Sequence, residues 1–151
     1  MLRISKKMIF AIEAVVDIAY HSSGQPVQSQ EITQRQNIPR RYLEQALQQL
    51  VRGHVLTGVR GPRGGYNLAR ERRRISVGDI VRIVRDLETG TDLNSSNLGS
   101  ELTTKVITPM WLDLQVTMME KLDGISIDDL CTQANSAAVE SEGRQNLDFS
   151  I

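Results

Sequence analysis

Two helical patterns joined by a tight connection, a glycine- and arginine-rich hairpin directly after them, and a basic first half together predict a mainly α chain (α+β). The expected architecture is a winged helix-turn-helix with a two-stranded wing, followed by a long C-terminal dimerisation helix. The hairpin is the most specific of the three. Val59-Arg60-Gly61-Pro62-Arg63-Gly64-Gly65-Tyr66-Asn67-Leu68 places two arginines in a turn framed by short apolar runs. Its three glycines permit positive φ and close backbone approach, Pro62 fixes one φ, and the arginines bring forked donors to an anionic target. Net charge over the 151 residues is zero, but residues 1–74 hold thirteen Lys/Arg against five acids, which leaves +8 there and −8 in the rest. The basic half is attracted to phosphate, and the acidic half is repelled by it and must face away.

Each element follows from local signals. Ser5 suits the cap of a helix through about Ser22, with Ile9, Ile12, Val16 and Ala19 at helical spacing and Gly24-Gln25-Pro26 as its stop. Ser29 is expected to cap a short helix carrying Ile32, with Gln36-Asn37 as the turn, and Pro39 to occupy the first position of a third helix. Leu43, Leu47 and Leu50 form that helix's inward stripe, which ends at Gly53, and Arg40, Arg41, Glu44, Gln45 and Gln48 form the opposite face. Val55 to Val59 and Tyr66 to Ala69 read as the wing strands, and Ser76 as the cap of a helix with Val77, Ile80, Val81 and Val84. A Gly/Asn/Ser/Thr-rich loop is expected through about Ser100. Thr108-Pro109 then reads as an N-cap with proline in the first turn of a helix ending at Gly124. Ser126 caps a last helix with Ile127, Leu130 and Cys131, and Ser136 onward reads as a polar, frayed tail.

Composition sets the limits. With 40% apolar residues the chain can bury one ordinary core. No apolar run approaches the roughly 20 residues that span a bilayer, and the start has no signal-peptide pattern, so a cytoplasmic protein with no membrane partner is expected. A single cysteine excludes an intramolecular disulfide and a cysteine-cluster metal site within one chain, so no metal ligands and no cofactor are expected. The resulting organisation is a DNA-binding domain over 1–86, a loop region over 87–108, dimerisation and C-terminal helices over 109–135, and a tail over 136–151.

The expected partner is double-stranded DNA. Arginine forks onto guanine O6 and N7, glutamine onto adenine N6 and N7, and glutamate accepts from cytosine N4. Ser29, Arg40, Arg41, Tyr42, Glu44, Gln45, Gln48, Arg60, Gly61, Arg63 and Gly64 are the candidate contacts, with Tyr42 assigned to phosphate and the wing to the minor groove. Met110, Leu114, Met118 and Leu122 recur every four residues with Trp111 beside them, and this stripe is expected to bury itself against a second copy in a homodimer. Cys131, on an apolar helix face, reads as a core residue, and its use as a redox thiol requires exposure and a lowered pKa. His21 and His54 lack a spaced partner. No nucleophile–base pair or catalytic carboxylate pair points to an enzyme.

Tyr42-Leu43-Glu44-Gln45 with Leu47 and Leu50, and the wing from Val59 to Tyr66, resemble the bacterial regulators related to the iron–sulfur cluster regulator IscR and the cysteine-metabolism repressor CymR. Softer matches are Ser5-Lys6, Ala14 to Ala19, Ile75 to Ile80 and Trp111 to Leu114, so the resemblance spans about residues 1 to 133. It implies a dimeric winged-helix regulator on a pseudo-palindromic operator. Cluster-binding members carry three closely spaced cysteines before the tryptophan helix; here Asp92 to Lys105 has no cysteine or histidine. The resemblance therefore implies a cluster-free member that senses a small molecule or a protein effector. A winged-helix protein-interaction module and a thiol sensor using Cys131 stand as alternatives.

Overall fold

The computed structural model describes residues 4–88 and 99–141, with the side chains of 86–88 outside that description. Helix α1 (Lys6–His21) begins as expected: the Ser5 Oγ accepts from the Met8 N–H at 3.2 Å. It buries Ala11, Ala14, Val15 and Ile18 at the centre of the molecule. Helix α2 (Ser29–Gln36) starts one residue earlier than its serine suggested. Gln28 is the N-cap and Ser29 the first helical residue, because the Glu31 carboxylate reaches back to accept the Gln28 N–H at 2.8 Å and does the capping itself.

Asn37 takes the left-handed conformation, φ 53°, that turns α2 into α3 (Arg40–Arg52). Pro39 lies just outside α3 rather than at its first position: its backbone is extended, ψ 129°, while its carbonyl already accepts the Leu43 N–H. Leu43, Leu47 and Leu50 are fully buried. The wing is β1 (Leu56–Val59) antiparallel to β2 (Gly65–Leu68), with Leu56 opposite Leu68 and Val59 opposite Gly65. Val27 joins the wing from outside, exchanging both backbone bonds with Tyr66 at 3.0 and 2.8 Å. The segment before α2 and the hairpin are therefore held together.

A 3-10 turn (Arg72–Arg74) leads to α4 (Val77–Glu88), where Ser76 and Asp79 cap each other's N–H groups at 3.0 Å. Most of the expected loop, residues 89–98, lies outside the described residues; 99–100 are non-helical as expected, but the rest of the 87–108 loop region, from Glu101 on, is helix. Helix begins after Ser100, whose carbonyl accepts the Thr104 N–H, and runs through a π-helical turn (Thr103–Ile107) directly into α5 (Thr108–Asp123). Thr108 is thus not an N-cap but an interior residue whose N–H reaches Thr103 O, five residues back. The cause is Pro109. It offers no N–H, and its ring would strike the carbonyl four residues earlier; widening that turn makes room without ending the helix.

Ser126 and Asp129 cap α6 (Ile127–Ser136) reciprocally. Ile127 and Cys131 enter the same core as α1, α3 and α4, and Ile127 N–H to Ile75 O and Val77 N–H to Ile125 O tie the two helix starts together at 2.8 Å. Ala138, φ 61°, closes α6 with paired bonds from Ala138 N–H to Asn135 O and from Val139 N–H to Ala134 O. The described part of the expected frayed tail is docked. Ser141 Oγ donates to Tyr20 O at 2.7 Å, and the Tyr20 hydroxyl donates to Val139 O. Residues 142–151 lie outside the described residues.

Candidate nucleic-acid interface

Burying one face of α3 leaves Arg40, Arg41, Tyr42, Glu44, Gln45 and Gln48 exposed on the other. Arg40 Nε donates to Glu44 Oε1 at 2.9 Å, one turn along, so these two candidates hold each other. The Tyr42 ring lies 6.3 Å from Phe10, with Lys7 Nζ 5.8 Å from its centroid. This tyrosine therefore joins the first turns of α1 and α3.

In the wing turn Gly61 adopts φ 112° and its carbonyl accepts the Gly64 N–H at 2.9 Å. The three glycines divide the two expected uses: Gly61 and Gly65 take positive φ, and Gly64 provides the close backbone approach. It is buried in the turn, and a Cβ there would lie 2.2 Å from Val59 O, so its part is to let the strands approach. Arg60 and Arg63 flank the turn, both exposed. Gln28 Nε2 reaches Pro62 O at 3.4 Å from the start of α2.

Between α2, α3 and the wing lies an open cleft of about 1040 Å³, lined by Ser29, Arg40, Gln48, Arg60, Gly61 and Gly64 among the expected contacts. Arg41, Tyr42, Glu44, Gln45 and Arg63 stand outside it, on exposed positions of α3 and the turn. Gln28, Gln30, Thr33, Gln34 and Arg52 also line the cleft and were not anticipated. The three- and four-residue spacing of Gln30, Thr33 and Gln34 is the signal that was available, a polar helix face without an apolar member.

Not all basic residues of the first half are free to meet phosphate. Arg35 is taken up internally: its Nε and Nη2 donate to the two oxygens of buried Asp17 at 2.9 and 2.8 Å, Gln36 Nε2 adds a third bond at 2.9 Å, and His21 Nε2 lies 3.8 Å away. Arg72 and Arg73 face Asp128 of α6 at 2.7 and 3.5 Å, and Arg70 faces Asp79 at 3.5 Å. Arg52 and Arg60 remain around the cleft, and Arg40 lines it while paired with Glu44. Cys131 is 4% exposed; burial pushes its thiol pKa up, against the pull of nearby Arg72, and that disfavours the reactive thiolate.

The apolar stripe of α5 divides. Met110, Leu114 and Met118 are 49, 52 and 46% exposed, whereas Trp111 and Leu122 are half-buried. Successive i, i+4 steps drift by about 40° around a helix, so Met110 and Leu122 stand roughly 120° apart. The Leu122 side turns with Gln115 and Asp123 toward α4, where Arg85 reaches Gln115 at 3.4 Å and Arg82 forks onto Asp123 at 2.7 and 2.6 Å. That ion pair holds the Asp123 carboxyl below its usual range. Leu102, Val106 and Ile107 extend the exposed side past the expected start of the helix.

A helix-turn-helix whose polar face meets an arginine-tipped wing across a cleft defines a DNA-binding transcription regulator. The chain belongs to the Rrf2 family: the model described as Rrf2, iron-dependent transcriptional regulator, matches residues 4–133. It is 29% identical over 150 residues to the HTH-type transcriptional regulator IscR of Vibrio cholerae, covering 99% of this chain and 86% of that one. Identity to IscR of Sodalis glossinidius is 32% over 148 residues, covering 97 and 88%. Among solved structures it resembles T. potens IscR, with TM-score 0.72, 33% identity and 93% of each chain covered. The B. subtilis global cysteine regulator CymR gives TM-score 0.69 and 26% identity over 88 and 98% of the two chains. These relatives are regulators and not enzymes. No helix among the described residues is long and apolar enough to cross a membrane.

The donors of this chain do not fit an iron–sulfur cluster. Its one thiol is buried in α6, and among the described residues no group of three or more His, Cys, Asp or Glu can hold a metal ion.

Proposed function

We propose that this chain is a sequence-specific, cytoplasmic repressor that binds a pseudo-palindromic operator as a homodimer without an iron–sulfur cluster and answers to a small-molecule or protein effector. The observation that carries the DNA reading is the cleft in which Arg40 and Gln48 of α3 face Arg60 of the wing. With α3 in the major groove, the narrow hairpin reaches the adjacent minor groove, where Arg60 and Arg63 respond to width and negative potential. The exposed Met110, Leu114 and Met118 support the homodimer, since a helix face this apolar is stabilised by a partner. Selection of bound sequences from a random duplex pool tests the reading: a consensus with two inverted half-sites is expected, and recovery of unenriched sequence overturns it. Anaerobic reconstitution with iron and sulfide tests the cluster-free state. The protein is expected to stay colourless, and a stoichiometric charge-transfer band with retained iron overturns that part alone.

A further inference from the structure

We propose that the exposed basic patch made by Lys6 and Lys7 of α1, beside Arg41 and Tyr42 of α3, is a second contact surface for duplex DNA, holding backbone phosphates that flank the bases met by α3. The inference rests on the DNA reading above and extends it to residues outside the cleft. Tyr42 supplies the geometry: its ring lies tilted against Phe10, centroids 6.3 Å apart, and has Lys7 Nζ 5.8 Å from its centroid, so one lysine of α1 sits against the first turn of α3. Lys6 is exposed on the same turn of α1, and Arg41 precedes Tyr42 in α3. Neither α1 nor α3 has an acidic residue in its first turn. Glu44, the acid one turn further along α3, is already engaged by Arg40.

Three cations, Lys6, Lys7 and Arg41, on the first turns of two adjacent helices lower the stability of those helices, because the exposed N–H groups there favour negative charge. A local conflict of this kind points to a use outside the fold. A polyanion removes the conflict. Free phosphate or an acidic peptide would satisfy single charges, but the patch continues the face formed by α3, and the duplex that α3 enters brings phosphates alongside it at no further loss of freedom. Lys6 and Lys7 add strength and no base preference, since ammonium groups meeting phosphate carry no sequence information.

The test is the salt dependence of duplex binding by the full chain, with the selected consensus and a random duplex as probes. Each phosphate contact adds about 0.9 to the slope of log affinity against log salt. In the proposed dimer Lys6→Gln/Lys7→Gln removes four such contacts, two from each protomer, and is therefore expected to flatten the slope by nearly 4, so that affinity falls about a hundredfold less between 50 and 200 mM salt, equally on both probes. Lys6→Arg/Lys7→Arg is expected to retain the wild-type slope, and Lys121→Gln on α5, which removes a charge elsewhere, to leave it unchanged. An unaltered slope in the double glutamine variant, with wild-type binding intact, overturns this proposal alone. Failure of the wild-type chain to bind any duplex overturns the DNA reading and this proposal with it.

Discussion

Asp17 is buried inside a helix-turn-helix that must present cations, and it is satisfied by Arg35 and Gln36 from the next helix. Removing one partner of such a pair leaves an uncompensated charge, so Asp17→Ala is expected to destabilise the fold by about 3–5 kcal/mol, measured by urea denaturation. A loss under about 1 kcal/mol would show that the network is not what holds α2 on α1. The proposed DNA contacts Glu44 and Arg60 are expected to differ in what their loss does. Arg60→Ala is expected to weaken operator and random DNA together and to lose preference for A·T-rich flanks. Glu44→Ala, which removes a carboxylate that repels phosphate, is expected to leave non-specific affinity equal or higher while relaxing discrimination at one position by about 1–3 kcal/mol. Titrating single-base operator variants at matched salt distinguishes them, and uniform weakening by Glu44→Ala would refute the assignment of that face.

At the scale of elements, the α6 terminus carries a testable strain. Ala138 occupies a left-handed position that glycine usually fills, so Ala138→Gly is expected to stabilise the protein by up to about 1 kcal/mol in the same denaturation assay. The π turn gives the complementary case: Pro109→Ala restores an N–H, and slower amide exchange is expected across Thr103–Ile107 as the turn closes into an ordinary ladder. These two features also mark where sequence stopped being informative. The order of α1 to α3, the wing and the Ser5, Ser76 and Ser126 caps were legible because each rests on spacing within one segment. Thr108-Pro109 misled because proline marks a helix start and an accommodated helix interior with the same dipeptide. Asp17 was invisible because its partner lies in another helix, and the docking of Ser141 on Tyr20 because it joins residues 121 apart. Of the expected contacts, Ser29 of α2, Arg40 and Gln48 of α3 and Arg60 of the wing fall around the cleft, whereas Gln30, Thr33 and Gln34 of α2 were hidden by their lack of charge.

For the molecule as a whole, the proposed dimer places Leu114 in an apolar interface. Leu114→Asp is expected to cost several kcal/mol of association and to give monomers at micromolar concentration in sedimentation, without loss of helix. An unchanged dimer would move the interface elsewhere on α5. The split of charge has its own signature. Although the net charge is zero, association with DNA is expected to slow steeply with salt, because in the proposed complex the basic half meets the duplex.

The Asp17 pin bears on how an effector's message can travel. Arg35 ties α2 to α1 through Asp17, and α1 packs on α3, α4 and α6, so these helices form one packed unit. In the proposed dimer a signal arriving at α5 therefore acts as on a lever, turning each unit whole and altering the pitch and distance between two unchanged units. A switch of that kind is expected to release the operator by mismatch of spacing, so that a duplex carrying one half-site is bound equally with and without the signal.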